Sequence, residues 1–327
     1  MVKIGDLNLG EFPLLLAPME DVSDPPFRKL CKRGGADIMF TEFISSEGLI
    51  RNAWKSVQKL DIFEFERPIG IQIFGNNIES MKEATKIAAS ANPDLIDINY
   101  GCPVKKVACK GAGAGILQDV PKMVKMTAEI VKSTNLPVTV KTRLGWNEKT
   151  KYIVDVAERL QDVGIKAISI HGRTRKQMYK GVADWSLIRE VKNNPRMHIP
   201  VFGNGDVQCP KTAMEKKNKY NVDGIMIGRA AIGNPWIFNQ IKEYLTNGVS
   251  IKEPSIIEKA DMALEHLKLS VDWKGSKLGI LEMRRHYTNY FRGLPQIKKH
   301  RSELVQTEKY DELVGIINEI KKMYEYY

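Results

Sequence analysis

Cysteine is scarce in this chain: only Cys31, Cys102, Cys109 and Cys209 occur, and no two form a CxxC pair. That argues against a disulfide framework and against a zinc knuckle, and fits a reducing compartment. Long apolar runs are missing too. The longest, such as Leu14 to Pro18 and Ile168 to Ile170, fall far short of a membrane span, and the start Met1-Val2-Lys3-Ile4-Gly5-Asp6 has no apolar signal core. A cytoplasmic location is expected by default. There is no P-loop, no GxGxxG after the first strand, no HExxH and no nearby ligand cluster, so no metal is expected. Internal repeats and low-complexity tracts are absent. Acidic residues run short, with 39 Asp and Glu against 50 Lys and Arg and a formal charge of +11, which favours a polyanionic partner. Nothing implies a protein partner or a membrane, and a monomer is expected.

What is present is enough for a full core: 327 residues, 43% of them hydrophobic. Eight short strands are predicted, at Leu14 to Pro18, Asp37 to Phe43, Ile69 to Phe74, Leu95 to Asn99, Val138 to Thr142, Ala167 to His171, Ile199 to Phe202 and Gly224 to Ile227. Helical periodicity lies between them, opened after the first strand by Asp24 with Pro25 and Pro26. It is clearest at Ile78 to Ser90, Val120 to Lys132, Tyr152 to Val163, Trp185 to Lys192 and Pro210 to Lys219. Ser45 to Glu66 is irregular. This order predicts an α/β fold, a (β/α)₈ TIM barrel, with a doubly wound sheet as the competing arrangement.

The stretch Leu95-Ile96-Asp97-Ile98-Asn99-Tyr100-Gly101-Cys102-Pro103 organises the rest, because it presents a thiol in the loop that ends a strand. Lys105 and Lys106 follow, and such cations favour the ionised thiol. Strand parity puts Asp97 and Asn99 on one face, Thr139, Lys141 and Arg143 on another, and Ser169, His171 and Arg173 on a third. The apolar alternates pack outward on helices. Gln72 joins this polar set, which converges at the strand ends where barrels keep their active sites. Taken singly, each is as well read as a core amide, a snorkelling rim charge or a capped imidazole.

The last two strands end in Gly203-Asn204-Gly205-Asp206 and Gly228-Arg229. Small residues exposing backbone N–H groups after strands seven and eight form the customary phosphate site of a barrel. After Leu245, Thr246-Asn247-Gly248 and Glu253-Pro254 punctuate the chain. A barrel domain over residues 1–247 and an all-helical domain over 254–327 are therefore expected. Within 268–301, nine Lys or Arg stand against Asp272 and Glu282, a net +7. Trp273, His286, Tyr287, Tyr290 and Phe291 between them offer stacking surfaces for RNA bases, or else the core of a solvated helical face.

These motifs together resemble the flavin-dependent tRNA-dihydrouridine synthases, most closely the bacterial B-type branch. The resemblance is carried by Ala17-Pro18-Met19, Gln72 before Phe74-Gly75, Asp97 through Pro103 with Lys105-Lys106-Val107, Lys141, Ile170-His171-Gly172-Arg173-Thr174, Asn204-Gly205-Asp206, Gly228-Arg229 and Asn234-Pro235-Trp236. It implies an FMN-binding oxidoreductase with NADPH as reductant and tRNA as partner. FMN contacts are implied at Pro18, Met19, Gln72, Lys141, His171, Asn204, Gly205, Asp206, Gly228 and Arg229. Cys102 is implied as the catalytic acid that protonates C5 of a flipped uridine. Substrate contacts are read at Asn99, Arg173, Arg284, Arg285 and His286. Two other classes stay open on the residues alone: a barrel aldolase using Lys141 as a Schiff base, and a non-catalytic tRNA-binding module.

Overall fold

Eight parallel strands close into a barrel in the computed structural model of the chain, which describes residues 1–324. They are β1 (Leu14–Leu16), β2 (Met39–Phe40), β3 (Ile69–Phe74), β4 (Leu95–Asn99), β5 (Val138–Arg143), β6 (Ala167–His171), β7 (Val201–Asn204) and β8 (Gly224–Ile227). From β2 onward each pairs with its successor, and β8 returns to β1. The seam between β1 and β2 is thin: one bridge, Leu15 with Ile38, flanked by Leu16 N–H donating to Ile38 O at 3.0 Å. That closure selects the barrel over the doubly wound sheet.

Four strands, β1, β2, β5 and β7, differ from their expected bounds, and for β2 and β7 the reason is local. The second strand stops at Phe40 because the Thr41 hydroxyl, not a backbone carbonyl, accepts the Gln72 N–H at 3.1 Å. A further two residues, Ile44–Ser45, then pair with the end of β3. The seventh strand starts at Val201, since the N–H groups of His198 and Ile199 donate to Gln161 Oε1.

Helices fill the intervals as the caps dictate. Asp24 accepts the Phe27 N–H at 2.9 Å and opens α1 (Pro25–Arg33). Asn77 opens α2 (Ile78–Ser90) and Asp119 opens α3 (Val120–Lys132), both with the expected bounds. α4 (Ile153–Asp162), α5 (Ser186–Asn193), α6 (Pro210–Tyr220) and α7 (Ile237–Asn247) complete the ring. The outward alternates Ile96, Ile98, Val138, Val140, Ile168 and Ile170 are buried in the core under these helices. Each such side chain contributes about 1.5–3 kcal/mol by leaving water. Their polar alternates are therefore turned inward.

The remainder is helical: α8 (Ile256–Tyr290), broken at Gly275 where φ is +77°, then α9 (Lys298–Gln306) and α10 (Tyr310–Met323). Its own apolar cluster includes Leu267, Met283, Leu304 and Ile317. His286, Tyr287, Tyr290 and Phe291 are at most 2% exposed. Of the two readings open for these four aromatics, the helical core is the one observed, while Trp273 is half-buried. α8 also seals one flank of the barrel. Phe27 of α1 lies 5.7 Å from the His266 ring and 5.0 Å from that of His286, and buried Lys274 pairs with both Asp24 and Glu282.

Candidate active site

The inward alternates of β3, β4 and β5 form one hydrogen-bonded floor. Gln72 Nε2 donates to Asp97 Oδ2 at 2.6 Å, Thr139 Oγ1 donates to Asp97 Oδ1 at 2.5 Å, and Asn99 Nδ2 donates to Gln72 Oε1 at 2.9 Å. The parity expectation thus holds, and it follows from register: Gln72 is opposite Asp97, Asp97 opposite Thr139, and Asn99 opposite Lys141. Burial pushes the Asp97 carboxyl up to about 6, against the hydrogen bonds of Gln72 and Thr139 and the charge of Lys141.

At the end of β4, Asn99 shapes the thiol loop. Its Oδ1 accepts the N–H of Gly101 at 2.9 Å and of Cys102 at 2.8 Å, a turn that Asn makes with its own side chain. Arg143 clamps the same loop from β5. Its Nε donates to Gly101 O at 2.7 Å while its Nη1 reaches the carbonyls of Thr174 and Met178. Cys102 is 6% exposed. Burial raises its pKa, outweighing the Val104 N–H, Arg143 and Lys141, which lower it. The expectation that Lys105 and Lys106 favour the thiolate is corrected: both are exposed on the short helix Lys105–Ala108, and the thiol is held protonated.

Lys141 and His171 sit beside this floor without matching charges. The Lys141 ammonium has no hydrogen-bond partner among the described residues, and burial, with help from Arg143, pulls its pKa down to about 8. Burial and the cations Arg143, Lys141 and Arg173 hold His171 neutral, well below its ordinary range. Lys141 itself is half-buried, so its ammonium faces the mouth, and a cation with a lowered pKa and no partner among the described residues marks a place for an acceptor.

On the far side, Arg173 grips Asp206 with a two-pronged pair at 2.9 and 2.7 Å and also donates to the carbonyls of Lys180 and Gly181. Arg173 is 2% exposed, so in this arrangement its guanidinium locks the loop after β6 to the loop after β7. Burial raises the Asp206 carboxyl, but Arg173, the Ala183 N–H and Arg229 outweigh it and hold it below the usual range. Asn204 Nδ2 donates to Met226 O at 2.7 Å, and its Oδ1 has no donor among the described residues. Gly205 has φ +120°, and a Cβ there would meet the His171 ring at 2.9 Å, so the turn requires glycine.

After β8 the backbone N–H groups of Gly228 and Arg229 donate to no acceptor among the described residues. A Cβ on Gly228 would make only ordinary contacts, with Ala17 Cβ at 3.5 Å and Met19 Sδ at 3.6 Å, so the chain after β8 runs uncrowded against the loop after β1. The Arg229 guanidinium is 3.6 Å from Asp206 and 4.7 Å from the ring of Tyr179, which is 52% exposed.

The C-terminal candidates fare differently. His286 is 2% exposed between Phe27 and His266, so it is a core residue, and its reading as a substrate contact is corrected. Arg285 pairs with Asp21 at 2.8 Å and donates to the carbonyls of Glu20 and Asp21, beside the mouth. Arg284 lies 3.6 Å from Glu308. Sequence reasoning passed over Arg143 and Tyr179 as site residues. Parity alone placed Arg143 on the polar face; Tyr179 lies in a loop without periodicity and gave only its basic surroundings as a signal.

Comparison with known proteins agrees with this arrangement. A family model described as dihydrouridine synthase matches residues 15–324. "tRNA-dihydrouridine synthase B" of Pseudomonas putida is 37% identical over 301 residues, covering 92% of this chain and 88% of that protein. The protein of the same name in Xanthomonas campestris pv. campestris is 36% identical over 307 residues, covering 94% of this chain and 92% of its own. Among solved structures, morphinone reductase superposes with a TM-score of 0.56 at 13% identity, covering 78% of this chain and 90% of that one. At that identity the likeness is one of fold.

Proposed function

The chain belongs to the dihydrouridine synthase family, and on that premise we propose that it reduces uridine in tRNA to 5,6-dihydrouridine, with FMN bound in the barrel mouth and NADPH as reductant. The observation that carries this reading is a protonated thiol, Cys102, held on the loop above a polar floor that contains an unpaired ammonium, Lys141.

The residues present suit FMN. Lys141 offers a cation without a hydrogen-bond or ion-pair partner among the described residues, Gln72 and Asn204 offer fixed amides, and neutral His171 adds a ring nitrogen. Pro18 and Met19, half-buried in the loop after β1 whose Ala17 and Met19 flank Gly228, would bound the group on that side. Gly205, Asp206, Gly228 and Arg229 surround the phosphate end, where free N–H groups and a guanidinium suit an anion. The group supplies, when bound, hydride from NADPH to C6 of a uracil. Cys102 gives its S–H proton to C5, so that hydride and proton saturate the C5=C6 bond, and the thiolate regains a proton from water. Asn99 and Arg143 hold the loop that presents the sulfur. A uracil reaches it only by leaving its stack, which an exposed mouth with a basic rim permits. An aldolase built on Lys141, with a sugar phosphate at the loops after β7 and β8, leaves Cys102 without a role.

Arg229→Ala is expected to lose flavin on dialysis while the barrel stays folded, since the side chain is 55% exposed and supports no core. Flavin absorbance per protein measures it. Retention equal to wild type would mean that the phosphate lies elsewhere.

A further inference from the structure

Two adjoining cavities, of about 630 and 440 Å³, lie on the shoulder of the mouth behind the Cys102 loop. Gln118 and Trp146 line both, so the indole stands at their common wall. The larger runs between the starts of α3 and α4, reaching Val120 and Tyr152. The smaller reaches Cys109 and Gly111 of the Cys102 loop. Trp146 Nε1 has no acceptor among the described residues. The Arg175 guanidinium stacks on Trp146 at 4.7 Å, makes no ion pair among those residues, and has its Nε buried without a partner. Backbone bonds fix this pairing: Arg175 N–H donates to Gly145 O at 2.9 Å and Lys176 N–H to Trp146 O at 3.0 Å.

The surrounding loops are strongly basic. Residues 101–119, 144–152 and 172–185 follow β4, β5 and β6 at the end of the barrel that holds Cys102. Together they carry nine Lys or Arg against Asp119, Glu148 and Asp184, a net +6. Of the nine, only Lys151 and Arg173 form ion pairs among the described residues. In the C-terminal segment, by contrast, Lys274, Arg284, Arg285 and Lys299 are already matched by carboxylates. Seven of the nine loop cations are thus without an ion pair among the described residues, against five of nine in 268–301, while the groove lining itself is balanced, with Lys122 and Arg159 against Asp119 and Asp155.

We infer that this groove receives a splayed base of the tRNA next to the target uridine, with Trp146 as its stacking platform and Arg175 on the adjoining phosphate. The inference rests on the tRNA-reductase reading above. Arg175 covers one face of the indole, and the indole surface that lines the groove accepts any base; an arginine with unmet hydrogen bonds beside it matches the phosphate that accompanies a base, where a purely apolar ligand would leave it unmatched.

The test uses the full-length flavoprotein, unmodified tRNA and NADPH, with Trp146→Ala and Arg175→Gln. Each variant should raise the tRNA KM by about tenfold, with flavin content, melting temperature and the rate of flavin reduction by NADPH unchanged. In filter binding, Arg175→Gln should also flatten the slope of log affinity against log salt by about one unit, a change that a bracing role would not produce. If Trp146→Ala does not fold, Trp146→Phe should keep near-wild-type KM and Arg175→Gln decides. A tRNA KM within twofold of wild type in Arg175→Gln, with an unchanged salt slope, overturns the inference. So does a rise in the NADPH KM alone, which would assign the groove to the nucleoside of the reductant. A wild-type protein that binds tRNA but reduces no uridine counts against the proposed function, and the salt slopes still decide the groove.

Discussion

Cys102→Ala is expected to give a folded, yellow protein that NADPH still reduces, but whose dihydrouridine formation is slower by roughly 10²- to 10⁴-fold. The sulfur is 6% exposed, and its loop is held by Asn99 and Arg143 through backbone atoms that alanine retains. The loss therefore falls on proton delivery. The pH dependence follows from the sign of the shift. An acid works only below its pKa, and burial raises that of Cys102, so oxidation of the pre-reduced flavin by tRNA should hold through neutral pH and decline only above the ordinary thiol range. Stopped-flow flavin absorbance across pH measures both effects. A variant with the wild-type rate would remove Cys102 from the chemistry.

Lys274→Met is expected to destabilise the protein by about 3–5 kcal/mol, because it leaves Asp24 buried without its cation. The Lys274 and Asp24 side chains are 6% and 4% exposed, and Asp24 also caps α1. Burial lowers the Lys274 pKa, but Asp24 and Glu282 outweigh it and hold it above 10.5. The contribution is thus fully present below that pH and is lost only in stronger alkali. Chemical denaturation compared with wild type measures it; a loss below 1 kcal/mol would show that the pair is not buried in solution. The same contacts alter what a chain ending near Asn247 should do. Sequence reasoning expects such a chain to keep a complete barrel and its flavin, yet it would uncover Phe27 and leave Asp24 unpaired. Loss of tRNA binding after that cut would then report unfolding and not a missing RNA surface.

Much of the barrel was legible because its strands are buried on the outward face and polar on the inward one. Alternation in Asp97, Ile98 and Asn99, or in Thr139, Val140 and Lys141, gives both the element and its facing. Helix bounds with polar caps, such as those set by Asn77 and Asp119, were legible to the residue. The misreadings have one cause: sequence shows which residues are charged or aromatic but not which neighbours neutralise or cover them. Lys105 and Lys106 adjoin Cys102 in sequence but remain exposed, while Arg143, forty-one positions away, clamps its loop. Similarly, His286, Tyr287 and Tyr290 read equally as a stacking surface or as core, and the tertiary structure decides, with Phe27 of α1 packed on His286 and α10 closing the helical core. Asp206 and Arg173 were both singled out, but their mutual pairing across two loops is a tertiary fact.

The measurement that bears most directly on the central claim is mass analysis of nucleosides from unmodified tRNA incubated with the purified yellow protein and NADPH. A gain of two hydrogens at a defined uridine, dependent on NADPH and abolished in Cys102→Ala, is the predicted result. A protein whose flavin NADPH reduces, but which adds no hydrogen to any uridine of the tRNAs supplied, would contradict it.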